Sequence, residues 1–131
     1  MRKLLVIAAT LAVALAVAVP VALATTSVGI TLKEFKVVPT VASVKAGKVT
    51  FKIKNAGALQ HELVVVKTKL AASKLPVKNG KVSLKPVAQA GPFGPGKGGS
   101  LSATLKPGAY VLFCNVKGHY QAGQRVAFTV R

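Results

Sequence analysis

From Ser27 onward the chain runs in short segments rich in Val, Thr, Phe and Ile, alternating with lysines and separated by Gly, Pro and Asn, and no stretch keeps a helical spacing. The clearest case is Lys48 to Lys54. There Val49, Phe51 and Ile53 point to one side of an extended chain, and Thr50, Lys52 and Lys54 to the other, as in a half-buried strand. The pattern predicts about eight strands, at Val28–Phe35, Val41–Val44, Lys48–Lys54, Glu62–Thr68, Lys81–Val87, Gly99–Leu105, Ala109–Cys114 and Arg125–Arg131. Turn formers separate them at Lys45-Ala46-Gly47, Asn55-Ala56-Gly57, Asn79-Gly80 and Lys106-Pro107-Gly108. Leu70–Lys78 suits a helical turn or a loop, and Ala90–Gly99 is too rich in Gly and Pro for a regular element, so it is expected to wrap the surface. Short strands at this spacing predict an all-β sandwich in one domain.

The N-terminus departs from this rhythm. Arg2 and Lys3 precede an apolar run from Leu4 to Leu23, and Ala22-Leu23-Ala24 has the small-x-small form of a cleavage site. Residues 1–24 are therefore read as a secretory signal. The alternative is an uncleaved membrane anchor, because about 20 apolar residues also suffice to span a bilayer. Export to a periplasmic or extracellular space follows from either reading. Cleavage would leave 107 of the 131 residues, one small domain spanning 25–131.

Charge narrows the partners. The chain has 19 basic residues against two acids, Glu34 and Glu62, for a formal net charge of +17. Such a field attracts acidic proteins, polyanions or an anionic membrane surface. Nucleic acid is not expected, because the lysines are scattered one or two per strand and stacking aromatics are few. Catalysis is not expected either. The two carboxylates stand 28 positions apart, and no aspartate is present to complete a serine triad. A Cys–His nucleophile pair is conceivable, but glycine-bracketed donors are better explained by a metal.

The donors in question are Cys114, His119 and Gln124, spaced Cys-x4-His-x4-Gln around Gly118 and Gly123, with His61 far upstream. A single cysteine in an exported chain has no internal disulfide partner, so it is free, intermolecular or a ligand. Taken alone, Cys114 reads as a small buried hydrophobe, and each histidine or Gln124 as an ordinary polar group. Together, a thiolate, two imidazoles and an amide oxygen form a mixed soft and borderline set suited to copper in both oxidation states. Zinc also takes Cys and His, but a structural zinc site wants four strong ligands and only three are at hand. Asn55, ahead of His61, and Asn115, after the thiolate, are candidates to brace the two ligand loops by hydrogen bonds, or else are simple turn formers.

The chain resembles the cupredoxins, the small blue-copper family that includes plastocyanin and azurin. The likeness covers nearly all of residues 25–131. It rests on Glu34-Phe35 with Val49-Thr50-Phe51, on Asn55-Ala56-Gly57 leading to His61-Glu62-Leu63, on Pro107-Gly108-Ala109-Tyr110 leading to Cys114, and on Cys-x4-His-x4-Gln. The resemblance implies a Greek-key sandwich binding one copper ion, with His61, Cys114 and His119 as equatorial ligands. Gln124 falls where the family most often has methionine, and stellacyanin-like members use glutamine there. Its harder oxygen is expected to favour Cu(II) and lower the reduction potential; Lys117 and Arg125 push the other way but are screened. The resemblance further implies a monomeric electron carrier. An acidic redox partner would dock near the ring edge of His119, inside an apolar rim of Tyr120, Ala122, Ala58, Leu59, Pro92 and Phe93. A copper-buffering or delivery protein would use the same ligands, and a sandwich with an empty site adhering to anions is a third possibility.

Overall fold

The computed structural model describes residues 12–21 and 23–131. The proposed signal or anchor thus falls partly outside the described residues. What is described of it has no regular secondary structure and leaves Leu15 and Leu23 about as exposed as in a free chain, at 85% and 86%. Among the described residues no helix is long and apolar enough to cross a membrane.

The strands run in chain order as β1 (Thr26–Lys33), β2 (Lys36–Pro39), β3 (Ser43–Val44), β4 (Gly47–Asn55), β5 (His61–Lys67), β6 (Val77–Lys78), β7 (Lys81–Val82), β8 (Ala88–Phe93), β9 (Gly98–Leu105), β10 (Gly108–Phe113) and β11 (Arg125–Val130). One turn of 3-10 helix, Ala72–Lys74, precedes β6. One sheet has the order β2-β1-β4-β9 and the other β3-β11-β10-β5-β8, while β6 and β7 form a separate hairpin. The two sheets face each other across a core of Val28, Ile30 and Leu32 from β1, Val49, Phe51 and Ile53 from β4, Leu63 and Val65 from β5, and Leu112 and Phe128 from β10 and β11. The alternation in Lys48–Lys54 is that of a strand with one face on this core.

The runs Leu63-Val64-Val65-Val66 and Tyr110-Val111-Leu112-Phe113 do not alternate, because both of their faces are covered. Behind the second sheet, Val64, Val66, Val111 and Phe113 pack against Leu75, Val82 and Tyr120 in a smaller second core. The Tyr120 hydroxyl ties that cover down by donating to Ala72 O at 2.6 Å and accepting from Leu75 N at 3.0 Å.

Three sequence expectations need correction. The strand expected to run through Phe35 stops at Lys33, and the chain turns at Glu34-Phe35 to make the hairpin with β2, whose register pairs Lys33 with Lys36. No Gly, Pro or Asn marks that turn. The strand expected at Lys81–Val87 ends at Val82, and the Gly/Pro-rich stretch supplies β8 instead, hydrogen-bonded to β5. Pro92 is tolerated there because β8 is the edge of its sheet, and Gly91 at φ 105° serves the irregular register opposite His61 and Leu63.

Candidate metal centre

Strand periodicity carries two donors to one end of the sandwich. His61 opens β5 two residues before Leu63, so it shares Leu63's inward face. Cys114 follows Phe113 at the end of β10, in phase with inward-facing Leu112. β10 and β5 are antiparallel neighbours with Phe113 opposite Val64, so both side chains emerge at the same rim. Both are fully buried.

The loop from Cys114 to Gln124 brings the third donor back. Gly118 at φ 82° and Gly123 at φ 115° adopt the left-handed conformations that let the chain turn tightly before His119 and Gln124. The backbone of Gln124 closes the loop at both ends: its N–H donates to His119 O at 3.1 Å and its carbonyl accepts from Cys114 N at 3.1 Å.

His61 Nδ1 then lies 3.9 Å and His119 Nδ1 3.6 Å from Cys114 Sγ, with the two nitrogens 3.2 Å apart. A circle through three points so spaced has a radius of about 2.1 Å, matching metal–nitrogen bonds of roughly 2.0–2.1 Å and a metal–sulfur bond of roughly 2.3 Å. The three donors could therefore hold one ion between them. Gln124 lies beside them, fully buried. Its Nε2 donates to Lys33 O at 3.1 Å and Lys36 O at 3.4 Å, which leaves Oε1 as the buried side-chain oxygen with no hydrogen-bond partner among the described residues. Two imidazoles and a thiolate, with no fourth strong ligand grouped with them among the described residues, suit copper better than structural zinc.

Protonation fits the same use. Burial pushes the His119 imidazole below its ordinary pKa, and His61 close by adds to this, so at neutral pH the ring keeps a free nitrogen lone pair. Burial pushes the Cys114 thiol up, against a partial counter-effect from the Glu62 N–H, which donates to Sγ at 3.4 Å. A metal must therefore displace its proton.

The two asparagines brace different things. Asn55 is fully buried and closes the loop ahead of His61. Its Nδ2 donates to Leu59 O and Phe93 O, each at 2.8 Å, and its Oδ1 accepts from Gly57 N at 2.9 Å. Asn115 instead fastens the cysteine loop to β7, accepting from Val82 N at 2.7 Å and donating to Val82 O at 3.1 Å. Of the expected rim, Ala58, Leu59, Pro92 and Ala122 are exposed. Tyr120 is not part of it, being 3% exposed and held in the second core with Arg125 over its ring.

The sequence reading missed the turn between β1 and β2. Glu34 Oε1 lies 2.8 Å from His61 Nε2, and the Phe35 ring meets His119 edge-on with centroids 5.1 Å apart. The carbonyls of Lys33 and Lys36 hold Gln124. One four-residue turn thus touches His61, His119 and Gln124. The available signal was an acid in a chain that otherwise almost excludes acids.

No protein-family model and no curated protein matches this chain in sequence. Solved structures do match in fold. Auracyanin from Roseiflexus castenholzii superposes with a TM-score of 0.60 at 23% identity over 82% of this chain and 96% of its own. An azurin from Methylomonas sp. strain J gives 0.58 at 17% identity over 81% and 98%. Rusticyanin from Thiobacillus ferrooxidans, a copper protein, gives 0.57 at 18% identity over 82% and 77%. The fold is the cupredoxin β-sandwich, and His61, Cys114 and His119 form a metal site at one end of it whose spacing and donor chemistry fit one copper ion.

Proposed function

We propose that this chain is an exported, monomeric blue-copper protein that carries single electrons between redox partners and catalyses no reaction itself. The observation that carries the reading is the ring of two imidazole nitrogens and one thiol sulfur spaced for a single ion. Bound copper supplies a one-electron couple between Cu(I) and Cu(II). The protein's part is to hold the donors still. His61 and Cys114 sit on or beside neighbouring strands, and the loop bearing His119 is closed by backbone hydrogen bonds, so little has to rearrange when charge changes. Reduced forms of auracyanin and rusticyanin among the structural neighbours support a redox role.

His61 and Cys114 are sealed from solvent, while His119 is partly exposed and is the natural path for the electron. Phe35 packs on it, and exposed Lys33, Lys36 and Lys117 stand within two residues of Phe35 or His119. An acidic partner docks here. The apolar N-terminal run serves export. Both carboxylates are engaged in or beside the site, Glu34 on His61 and Glu62 next to it in sequence, which leaves no acid–base pair for catalysis.

The test is kinetic. Electron self-exchange of the copper protein should be fast, and the rate with an acidic partner should fall steeply as salt rises. Slow self-exchange with tight copper retention would favour copper buffering over electron transfer, and indifference to ionic strength would remove the electrostatic docking.

A further inference from the structure

The two acids of this chain are not ordinary surface charges, and Glu34 is placed with particular economy. It stands at the β1–β2 turn, its side chain 29% exposed, and reaches across to the loop ahead of His61. Its Oε1 accepts from Leu59 N at 2.8 Å and Ala58 N at 3.0 Å, and Oε2 lies 3.2 Å from Ala58 N. The same Oε1 lies 2.8 Å from Nε2 of the fully buried His61. Space for the carboxylate exists because residue 57 is glycine: a Cβ there would lie 2.6 Å from both oxygens.

A carboxylate can only accept, so His61 Nε2 must carry the hydrogen. That leaves Nδ1, the nitrogen aimed at Cys114 and His119, with its lone pair free. We infer that Glu34 is a positioning residue for the metal site: it selects the Nε2-protonated tautomer of His61, fixes the ring against the Ala58-Leu59 loop, and through its charge makes the imidazole a stronger donor to the oxidised ion. This rests on the copper reading for its last part only. The choice of tautomer and the bracing of the loop belong to the metal-free protein.

A carboxylate behind a ligating imidazole raises ligand basicity, and loss of such a group costs about 10–100-fold in metal affinity. Cu(II) gains more from a stronger donor than Cu(I), so the charge lowers the reduction potential. The unperturbed chain should be compared with Glu34→Gln, Glu34→Ala and Gly57→Ala. Glutamine keeps an acceptor oxygen and removes the charge; alanine removes both; a methyl at position 57 displaces an intact carboxylate.

In the metal-free chain, nitrogen-15 NMR should show His61 protonated at Nε2, with the Ala58 and Leu59 amides slow to exchange. Glu34→Ala and Gly57→Ala should speed that exchange, and Glu34→Gln should largely preserve it. In the copper-loaded chain, Glu34→Ala should bind copper about 10–100-fold more weakly. Glu34→Gln should keep the wild-type spectrum but shift the ratio of Cu(II) to Cu(I) affinity about tenfold toward Cu(I), equivalent to a rise of about 59 mV. A wild-type His61 protonated at Nδ1, or unchanged amide exchange in both Glu34→Ala and Gly57→Ala, would overturn the positioning role. An unchanged potential in Glu34→Gln would overturn the charge effect. If the wild-type chain makes no blue copper site, the proposed function fails, while the ring and amide measurements still decide the role of Glu34.

Discussion

Replacing Asn55 by alanine isolates the structural device that holds the His61 loop. Three hydrogen bonds disappear: those from Nδ2 to Leu59 O and Phe93 O, and that from Gly57 N to Oδ1, all between 2.8 and 2.9 Å. Each is worth about 0.5–1.5 kcal/mol net, more where a partner stays dry. Leu59 is 47% exposed and its carbonyl can recover water, whereas Asn55 itself is fully buried, so about 2–4 kcal/mol is expected for the three together. A domain of this size loses about 4 °C of Tm per kcal/mol, so the thermal midpoint of the copper-free chain should fall by about 8–16 °C. Bound metal adds its own stabilisation, so the assay is thermal and urea unfolding of the copper-free chain, with the copper dissociation constant measured separately. Copper affinity should fall too, because Leu59 and the Glu34 contacts lie on the loosened loop. A loss below about 0.5 kcal/mol with wild-type copper affinity would refute the reasoning, since it would mean the loop holds His61 without Asn55.

Gln124→Met exchanges a buried amide oxygen that has no hydrogen-bond partner among the described residues for a softer thioether; the reduction potential should rise, and a fall measured by voltammetry would refute the reading of Oε1 as the harder donor. Tyr120→Phe removes the hydroxyl that binds Ala72 O and Leu75 N, so unfolding free energy should fall by about 1–3 kcal/mol while the copper spectrum stays unchanged, because the hydroxyl serves the second core. Acid should destabilise the metal-free chain in stages read by urea midpoints. His119 has a lowered folded pKa, so its contribution is intact above the unfolded value of about 6.5 and is lost as pH falls below it. Glu34 is held down to about 2, chiefly by the Leu59 N–H, so its contribution is lost from the ordinary carboxylate range down to that value, and this step should vanish in Glu34→Gln. Glu62, raised by burial, works in the opposite sense and favours the fold once protonated.

Much of this molecule was legible in its residues, for reasons that differ between elements. Val49, Phe51 and Ile53 announce β4 because one face of that strand meets the core while Lys48, Lys52 and Lys54 on the other meet water. The Cys114–Gln124 loop was legible because its donors are local and glycines fall where the backbone must turn. β8 was not, since an edge strand tolerates the glycine and proline that elsewhere mark a loop. Nor was the Glu34 turn. Glu34 finds its own partners 24 to 27 residues away, Lys33 and Lys36 meet Gln124 from 91 and 88 residues away, and nothing in Lys33-Glu34-Phe35-Lys36 signals a reversal; the hairpin is imposed by the pairing of β1 with β2. Tyr120 looked like a rim residue because it adjoins His119, but neighbouring side chains on a loop can point to opposite sides, and its ring packs edge-on against Phe113.

The most direct measurement is the visible absorption and electron spin resonance of the full chain titrated with Cu(II), alongside Cys114→Ser. One equivalent of copper should produce an intense blue, thiolate-dependent absorption and the narrow hyperfine pattern of a type 1 centre, both lost in Cys114→Ser. A colourless complex, or a spectrum that survives the loss of the sulfur, would contradict a shared ion held by His61, Cys114 and His119.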